Sequence, residues 1–305
     1  MSEPYKGIFP IVPTPFTEDG ALDLEGQKRV LDCMIDQGVD GVCILANYSE
    51  QFLLSDSERE TLQTLCLGHV AGRVPVIATC SHFSTQVAVA RCTRAEEQGA
   101  SMVMMMPPYH GALLRADEYG VHEHFAALSD AIDIPIMIQD APLSGVALSV
   151  DLLVRIAMEF PNVTYFKIET PGTADKLRAL IAGAGEYIDG PFDGEEGITL
   201  MADLDAGATG TMTSAMASEQ IRPIVMQHLA GNRDVAAIQY NRMLPLINFE
   251  NRQCGLKGTK AVMKEGGVIK SDRVRHPLTP LPSHTRTALM DMARELDLIA
   301  FSWGK

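Results

Sequence analysis

The stretch NVTYFKIETPG, residues 162–172, reads as a short apolar strand interrupted by charge. Lys167 stands between Phe166 and Ile168, and Glu169 follows two residues later. Side chains alternate across a strand, so Lys167 and Glu169 share one face while Phe166 and Ile168 share the other. A lysine is costly there, because its charge must leave water. A barrel reconciles the two faces. Phe166 and Ile168 pack outward under helices, and the lysine meets whatever occupies the barrel's interior. The plainer reading is a Lys–Glu ion pair that only fills space.

The surrounding chain repeats a strand-then-helix pattern. Apolar runs occur at GIFPIV (7–12), GVCILA (41–46), PVIATC (75–80), SMVMMM (101–106), PIMIQD (135–140), VTYFKI (163–168), YIDGPF (187–192) and TGTMTS (209–214). Helix-period segments lie between them, such as Asp23–Gly38 and Ser84–Gly99. Asp23, Ser55, Ser84 and Ser149 are expected N-caps, and Gly38, Gly99 and Gly207 close helices. Unbroken apolar strands alternating with helices predict a parallel sheet covered on its outer face. About eight such units are the number that closes a (β/α)8 TIM barrel. An open doubly wound sheet is the competitor, but no G-x-G-x-x-G follows the first strand. Strand signals stop near residue 215. The expected division is a catalytic barrel over 1–225 and a C-terminal helical region over 226–305.

Composition narrows the function classes. The chain has 305 residues, 46% hydrophobic and 21% charged, so a sizeable core is expected. A formal net charge of -14 argues against nucleic acid and against an anionic membrane surface, since both need a basic footprint. None of the six cysteines forms a C-x-x-C pair, and they read as reduced core residues of a cytosolic protein. MSEPYKGIFP lacks the pattern of a secretory signal, and ASMVMMMPPY is too short to span a bilayer. A soluble cytoplasmic protein is the expectation.

Active sites of such barrels lie at the C-terminal ends of the strands. The polar residues there are Asn47, Tyr48, Ser49 and Glu50, then Ser81 and His82, Tyr109 and His110, Gln139 and Asp140, Lys167 and Glu169, Asp193, Glu195 and Glu196, and Thr211, Thr213 and Ser214. A partly desolvated lysine is an amine nucleophile towards a ketone, and a nearby carboxylate can move protons once the Schiff base forms. Asp193, Glu195 and Glu196 could instead bind magnesium through oxygen, a reading that leaves Lys167 unexplained. His122 and His124, two apart on a helix, do not share a face and read as surface residues. The methionines of 102–106 read as a barrel strand.

These residues resemble the dihydrodipicolinate synthase / N-acetylneuraminate lyase family of Schiff-base lyases, over essentially the whole chain. GIFPIVPTPFTEDGALD resembles the family's opening strand and turn. GVDGVCILANYSEQFLLSDSERE resembles the segment holding its G-[ST]-T-G-E loop, and YFKIETPG its Schiff-base lysine strand. The resemblance implies that Lys167 is the nucleophile. Departures are specific. Asn47 and Tyr48 replace two small hydroxyl residues, Pro108-Tyr109-His110 replaces P-Y-Y, and Gln139-Asp140 replaces a Y-N pair whose phenol relays protons. Glutamine cannot shuttle a proton, so aldol chemistry is disfavoured and elimination favoured.

ILANYSEQF, MPPYHGA, IQDAPLSG, FKIETPG and GPFDGEE together are similar to the family's L-2-keto-3-deoxyarabonate dehydratase branch. That similarity implies a small-molecule 2-keto-3-deoxy acid substrate, 2-oxoglutarate semialdehyde as product, no metal and no organic cofactor. It also implies a homo-oligomer, tetramer or dimer. Glu169 is expected to serve the C4 hydroxyl as acid and base, and Glu196 the later proton transfers. Asn47, Tyr48, Ser49, His110 and Gln139 are expected to bind substrate, with Tyr48, Ser49 and their loop's N–H groups on its carboxylate. Glu50 is expected to pin that loop. The alternatives are other lyases of the family: a 2-keto-3-deoxy acid aldolase, a keto-deoxyglucarate-type dehydratase or a cyclic-imine deaminase.

Overall fold

The structure is a computed structural model that describes residues 3–110 and 114–305. Its regular elements alternate as β1 (Gly7–Ile8), α1 (Leu24–Asp36), β2 (Val42–Ile44), α2 (Asp56–Val70), β3 (Val76–Thr79), α3 (Thr85–Glu97), β4 (Met102–Met105), α4 (Glu118–Ser129), β5 (Ile136–Asp140), α5 (Val150–Glu159), β6 (Val163–Ile168), α6 (Thr173–Ala184), β7 (Gly190–Asp193), α7 (Leu200–Asp205), β8 (Gly210–Thr211) and α8 (Ser218–Leu229). The sheet order is β1-β8-β7-β6-β5-β4-β3-β2. This is a (β/α)8 TIM barrel followed by C-terminal helices, of which α9 (Arg233–Phe249), α10 (Lys257–Glu265) and α11 (Ser283–Glu295) are the longest. Among the described residues no helix is long and apolar enough to cross a membrane.

The chain packs as two compact units, residues 1–6 with 75–212 and residues 7–74 with 213–305. In the first, β3 to β8 pair in parallel succession. In the second, Ile11 bridges in parallel to both Cys43 and Ser214. The expected caps explain where helices start. Asp23 accepts from the Gly26 N–H, Ser55 forms a reciprocal capping box with Glu58, and Ser149 accepts from the Leu152 N–H. Ser84 holds the cap position of α3 with no side-chain bond to it. Helices end at Gly38, Gly99 and Gly207, all at positive φ.

Burial follows the sequence pattern. Met102–Met106 are all fully buried, as a parallel strand requires. Each fully buried large apolar side chain contributes about 1.5–3 kcal/mol relative to exposure. The six cysteines are all buried thiols. Burial pushes Cys33, Cys66 and Cys254 up to about 12.

The two helix histidines correct the surface reading. His122 is 7% exposed and His124 1%. His122 Nε2 lies 2.7 Å from Glu159 Oε2 on α5. His124 Nδ1 lies 2.9 Å from Thr85 Oγ1 on α3, and burial pushes its ring down to about 4. Two positions on α4 face different neighbouring helices, so failing to share a face does not put them in water.

Candidate active site

The site begins at the end of β6. Lys167 is 2% exposed, and Phe166 and Ile168 are fully buried. Register places Lys167 opposite Gln139 on β5 and Phe192 on β7. Paired residues of parallel strands point to the same face, so these three share the lysine's side of the sheet. Tyr165 lies on that face too, two residues earlier, with its ring edge-on to Phe192 at a centroid distance of 6.1 Å. Gly210 on β8 makes room for this ring, because a Cβ there would stand 2.5 Å from Phe192 Cζ. Tyr165 Oη accepts the Tyr5 N–H at 2.9 Å. The lysine therefore stands on a packed aromatic floor.

Three groups converge above the floor. Lys167 Nζ lies 2.7 Å from Glu169 Oε1. Gln139 Nε2 donates to the same oxygen at 2.7 Å. Gln139 is 1% exposed, whereas the Glu169 side chain keeps 15% exposure and so opens towards solvent. Gln139 Oε1 is buried and makes no hydrogen bond. Glutamine in place of a phenol thus fixes the carboxylate beside the amine.

Asp140 takes the opposite face. It pairs in register with Ile168 and meets Lys176 Nζ on α6 at 2.6 Å. Lys176 also donates to the Leu148 carbonyl, tying the segment after β5 to the barrel wall.

The turn after β7 carries the other carboxylates. The Gly194 N–H donates to the Ile168 carbonyl at 3.1 Å. A Cβ on Gly194 would lie 2.5 Å from Glu169 Cγ and 2.7 Å from Ile168 O, so only glycine lets this turn lie against Glu169. Glu196, two residues on, is a non-glycine residue at φ +57°. Left-handed backbone of this kind costs about 1–3 kcal/mol and persists where surroundings hold it. Asp193 supplies the hold, its Oδ2 accepting the Gly197 N–H at 3.1 Å.

The loop after β2 lies in the second compact unit. Asn47–Ser49 form a 3-10 turn. Ser49 is 1% exposed, its hydroxyl donating to the Val12 carbonyl and accepting the Ala46 N–H. Asn47 Oδ1 accepts from Gln51 Nε2 at 2.6 Å. Both side chains shape the turn from within. Glu50, at φ +59° and 3% exposed, pairs with Lys260 of α10 and accepts the Arg275 N–H at 2.9 Å. Glu50 therefore pins its loop, as expected from the sequence. Lys260 and Arg275 had no local signal marking them as its partners. Burial holds Lys260 down to about 8 against the pull of Glu50.

His82 Nδ1 accepts the Ser84 N–H at 3.0 Å, and its ring stacks on Phe83. Tyr109–His110 pair antiparallel with Leu114–Arg115. The side chain of His110 lies outside the described residues.

A buried lysine at the end of the sixth barrel strand, held 2.7 Å from a carboxylate, defines a lysine-centred barrel lyase site. The chain belongs to the dihydrodipicolinate synthetase family, whose profile matches residues 4–296. It is 56% identical over 300 residues to L-2-keto-3-deoxyarabonate dehydratase of Azospirillum brasilense, covering 98% of this chain and 97% of that protein. It is 29% identical to 4-hydroxy-tetrahydrodipicolinate synthase 2 of Streptomyces coelicolor, covering 95% of each. Among solved structures, a dihydrodipicolinate synthetase-like protein of Pseudomonas aeruginosa superposes with a TM-score of 0.88 at 31% identity, over 95% of this chain and 99% of that one. Dihydrodipicolinate synthase of Aquifex aeolicus shares the fold, with a TM-score of 0.90 at 23% identity over 96% of this chain and 98% of that one.

Proposed function

We propose that this protein is a Schiff-base dehydratase that converts 2-keto-3-deoxy-L-arabonate to 2-oxoglutarate semialdehyde and water. The observation that carries this reading is the Lys167–Glu169–Gln139 set, an amine and a carboxylate in contact with no phenol between them. The 56% identity to a dehydratase of that substrate supports it.

In this reading Lys167 Nζ, having given its proton to Glu169, attacks C2 of the keto acid. Glu169 returns that proton to the departing hydroxyl, and loss of water leaves an iminium, which acidifies the C3 protons. Glu169 accepts one of them, giving an enamine. The protonated Glu169 returns the proton to the C4 hydroxyl, which departs as water and leaves a C3–C4 double bond conjugated to the iminium. Glu196 takes a proton from C5, and reprotonation at C3 and then at C4 converts the resulting enol to the C5 aldehyde. Hydrolysis frees Lys167. One water is lost overall and no oxidant enters. A single carboxyl group that alternates between acid and base contributes roughly 10²–10⁴-fold in such steps.

Gln139 has two tasks here. Its amide N–H fixes Glu169, and its carbonyl oxygen accepts a substrate hydroxyl. Tyr48 and the loop N–H groups take the substrate carboxylate, with Asn47 and Ser49 shaping that loop; His110 donates to a hydroxyl. The chemistry stays within residues 1–225, while in residues 226–305 Lys260 braces Glu50. Buried thiols suit a cytoplasmic setting.

The test is one incubation with 2-keto-3-deoxy-L-arabonate, split between a semialdehyde assay and borohydride reduction followed by peptide mass analysis. Semialdehyde together with a reduced adduct on the Lys167 peptide is expected. Pyruvate release would make the enzyme an aldolase. Absence of an adduct, with activity lost to EDTA, would replace the amine mechanism by a metal-dependent one.

We also assign a homo-oligomer, dimer or tetramer. Ile238 is 73% exposed and Val235 45% on α9, and Leu229 is 38% exposed on α8. Exposed apolar side chains clustered on adjacent helices are usual for contact surfaces. Light scattering after size exclusion is expected to give at least twice the chain mass of 33.1 kDa. A monomer would refute the assignment.

A further inference from the structure

Behind the lysine's face of the sheet lies a second carboxyl pair. Asp193, the last residue of β7, and Asp203 on α7 are both fully buried. Asp193 Oδ2 accepts from Thr211 Oγ1 of β8 and from the Gly197 N–H. Asp203 Oδ2 accepts from Thr199 Oγ1 at 2.6 Å. The other oxygen of each, Oδ1, is buried with no hydrogen-bond partner. The two carboxyl groups act on one another electrostatically. Carboxylates only accept hydrogen bonds, so a proton on one of them is the donor that these buried oxygens otherwise lack. Two buried anions acting on one another would also repel strongly, and one of the pair stays protonated.

We propose that Asp193 and Asp203 are positioning residues for Glu196: one proton shared between their carboxyl groups clamps β7 to α7 and holds the Gly194–Gly197 turn that presents Glu196. The proposal rests on the reading of Glu196 as a proton carrier. The turn needs a holder, since Glu196 sits at φ +57°. The Gly197 N–H is anchored on Asp193, which makes the orientation of that carboxyl group decisive for the turn. With the proton gone, the two carboxylates repel, α7 moves off β7, and the anchor of Gly197 turns with Asp193.

The charged neighbours are few. Lys167 on β6 acts on Asp193 through space and favours its anion. Arg178 on α6 acts likewise on Asp203, but its side chain is 52% exposed and paired with Asp175. The other charged residues on these elements are Glu169 on β6, Glu195 and Glu196 in the turn and Asp205 on α7. Burial, then the neighbouring Asp203 charge, pushes Asp193 up to about 8, and burial raises Asp203 as well.

The sign of the pH dependence follows. The native pair holds a proton that the unfolded chain has already lost once the pH exceeds the ordinary carboxylate range. Stability therefore falls as pH rises through that window and levels off above about 8, where both states are ionised. Catalysis follows the native protonation instead. It is expected to fall above about 8, by ~tenfold per further pH unit.

Asp203→Asn tests the clamp. The amide N–H can supply the Asp193 carboxylate with a permanent donor, and the amide oxygen still accepts from Thr199. The alkaline limb of kcat on 2-keto-3-deoxy-L-arabonate should move up by about one pH unit or more. At neutral pH kcat should stay close to wild type, and the melting temperature should fall less steeply with rising pH. Asp193→Asn should give the same two shifts and serves if the first variant does not fold. Profiles that superimpose on wild type overturn the clamp. An altered melting profile with an unmoved kcat limb overturns its link to Glu196. The melting profile needs no substrate, so it reads the clamp even if the enzyme turns over some other keto acid.

Discussion

Lys167→Met is expected to lower kcat/KM by ~10⁴-fold or more and to abolish the borohydride adduct, because no other group in the site can form the iminium. Methionine keeps most of the lysine's volume over Tyr165 and Phe192, so the fold should hold. The Gln139 N–H still satisfies Glu169, which limits the cost of removing the cation. Circular dichroism should match wild type, which separates lost chemistry from lost structure. Activity within tenfold of wild type would sink the amine nucleophile and leave Lys167 as the space-filling ion pair that its strand first admitted.

Glu169→Gln should separate trapping from turnover. The amide is isosteric and can still meet Lys167, but it cannot alternate between acid and base. We expect kcat to fall roughly 10²–10⁴-fold. The reduced adduct on Lys167 should persist, formed more slowly, because the amine can lose its proton to solvent instead of to Glu169. Isotope exchange of the C3 protons into solvent should slow in parallel with kcat. If trapping and turnover disappear together, Glu169 serves only to set the charge of Lys167. The two variants together assign the covalent step to one residue and the proton steps to another.

Much of the fold was legible because local and global signals agreed. Eight apolar runs, each followed by a helical segment and four of these opened by an expected N-cap, leave few topologies, and the strand order is the barrel's. The lysine was legible for a related reason. A cation in a strand buried on both faces needs a purpose, and Glu169 two residues on was its partner. What stayed hidden depended on contacts distant in sequence. Gln139 could be seen to lack a proton to give, but its bond to Glu169 spans 30 residues and follows from the β5–β6 register. The Glu50–Lys260 pair spans 210 residues. Asp203 carried no signal in the sequence, and only its burial distinguishes it. His122 and His124 failed for the reverse reason. Spacing describes a helix's own faces and says nothing about how many neighbouring helices surround it.

The buried thiols have a practical consequence. All six lie inside the fold; burial holds Cys33, Cys66 and Cys254, and the neighbouring Cys80 thiol together with burial holds Cys92, far from the thiolate form that attacks alkylating reagents. Towards a maleimide the native protein behaves as if it had no cysteine. A single thiol introduced at Glu195, in the turn beside Glu196, would therefore take a fluorophore selectively without stripping the native residues. The movement of that turn with pH and with keto acid could then be followed by fluorescence in the otherwise unaltered chain.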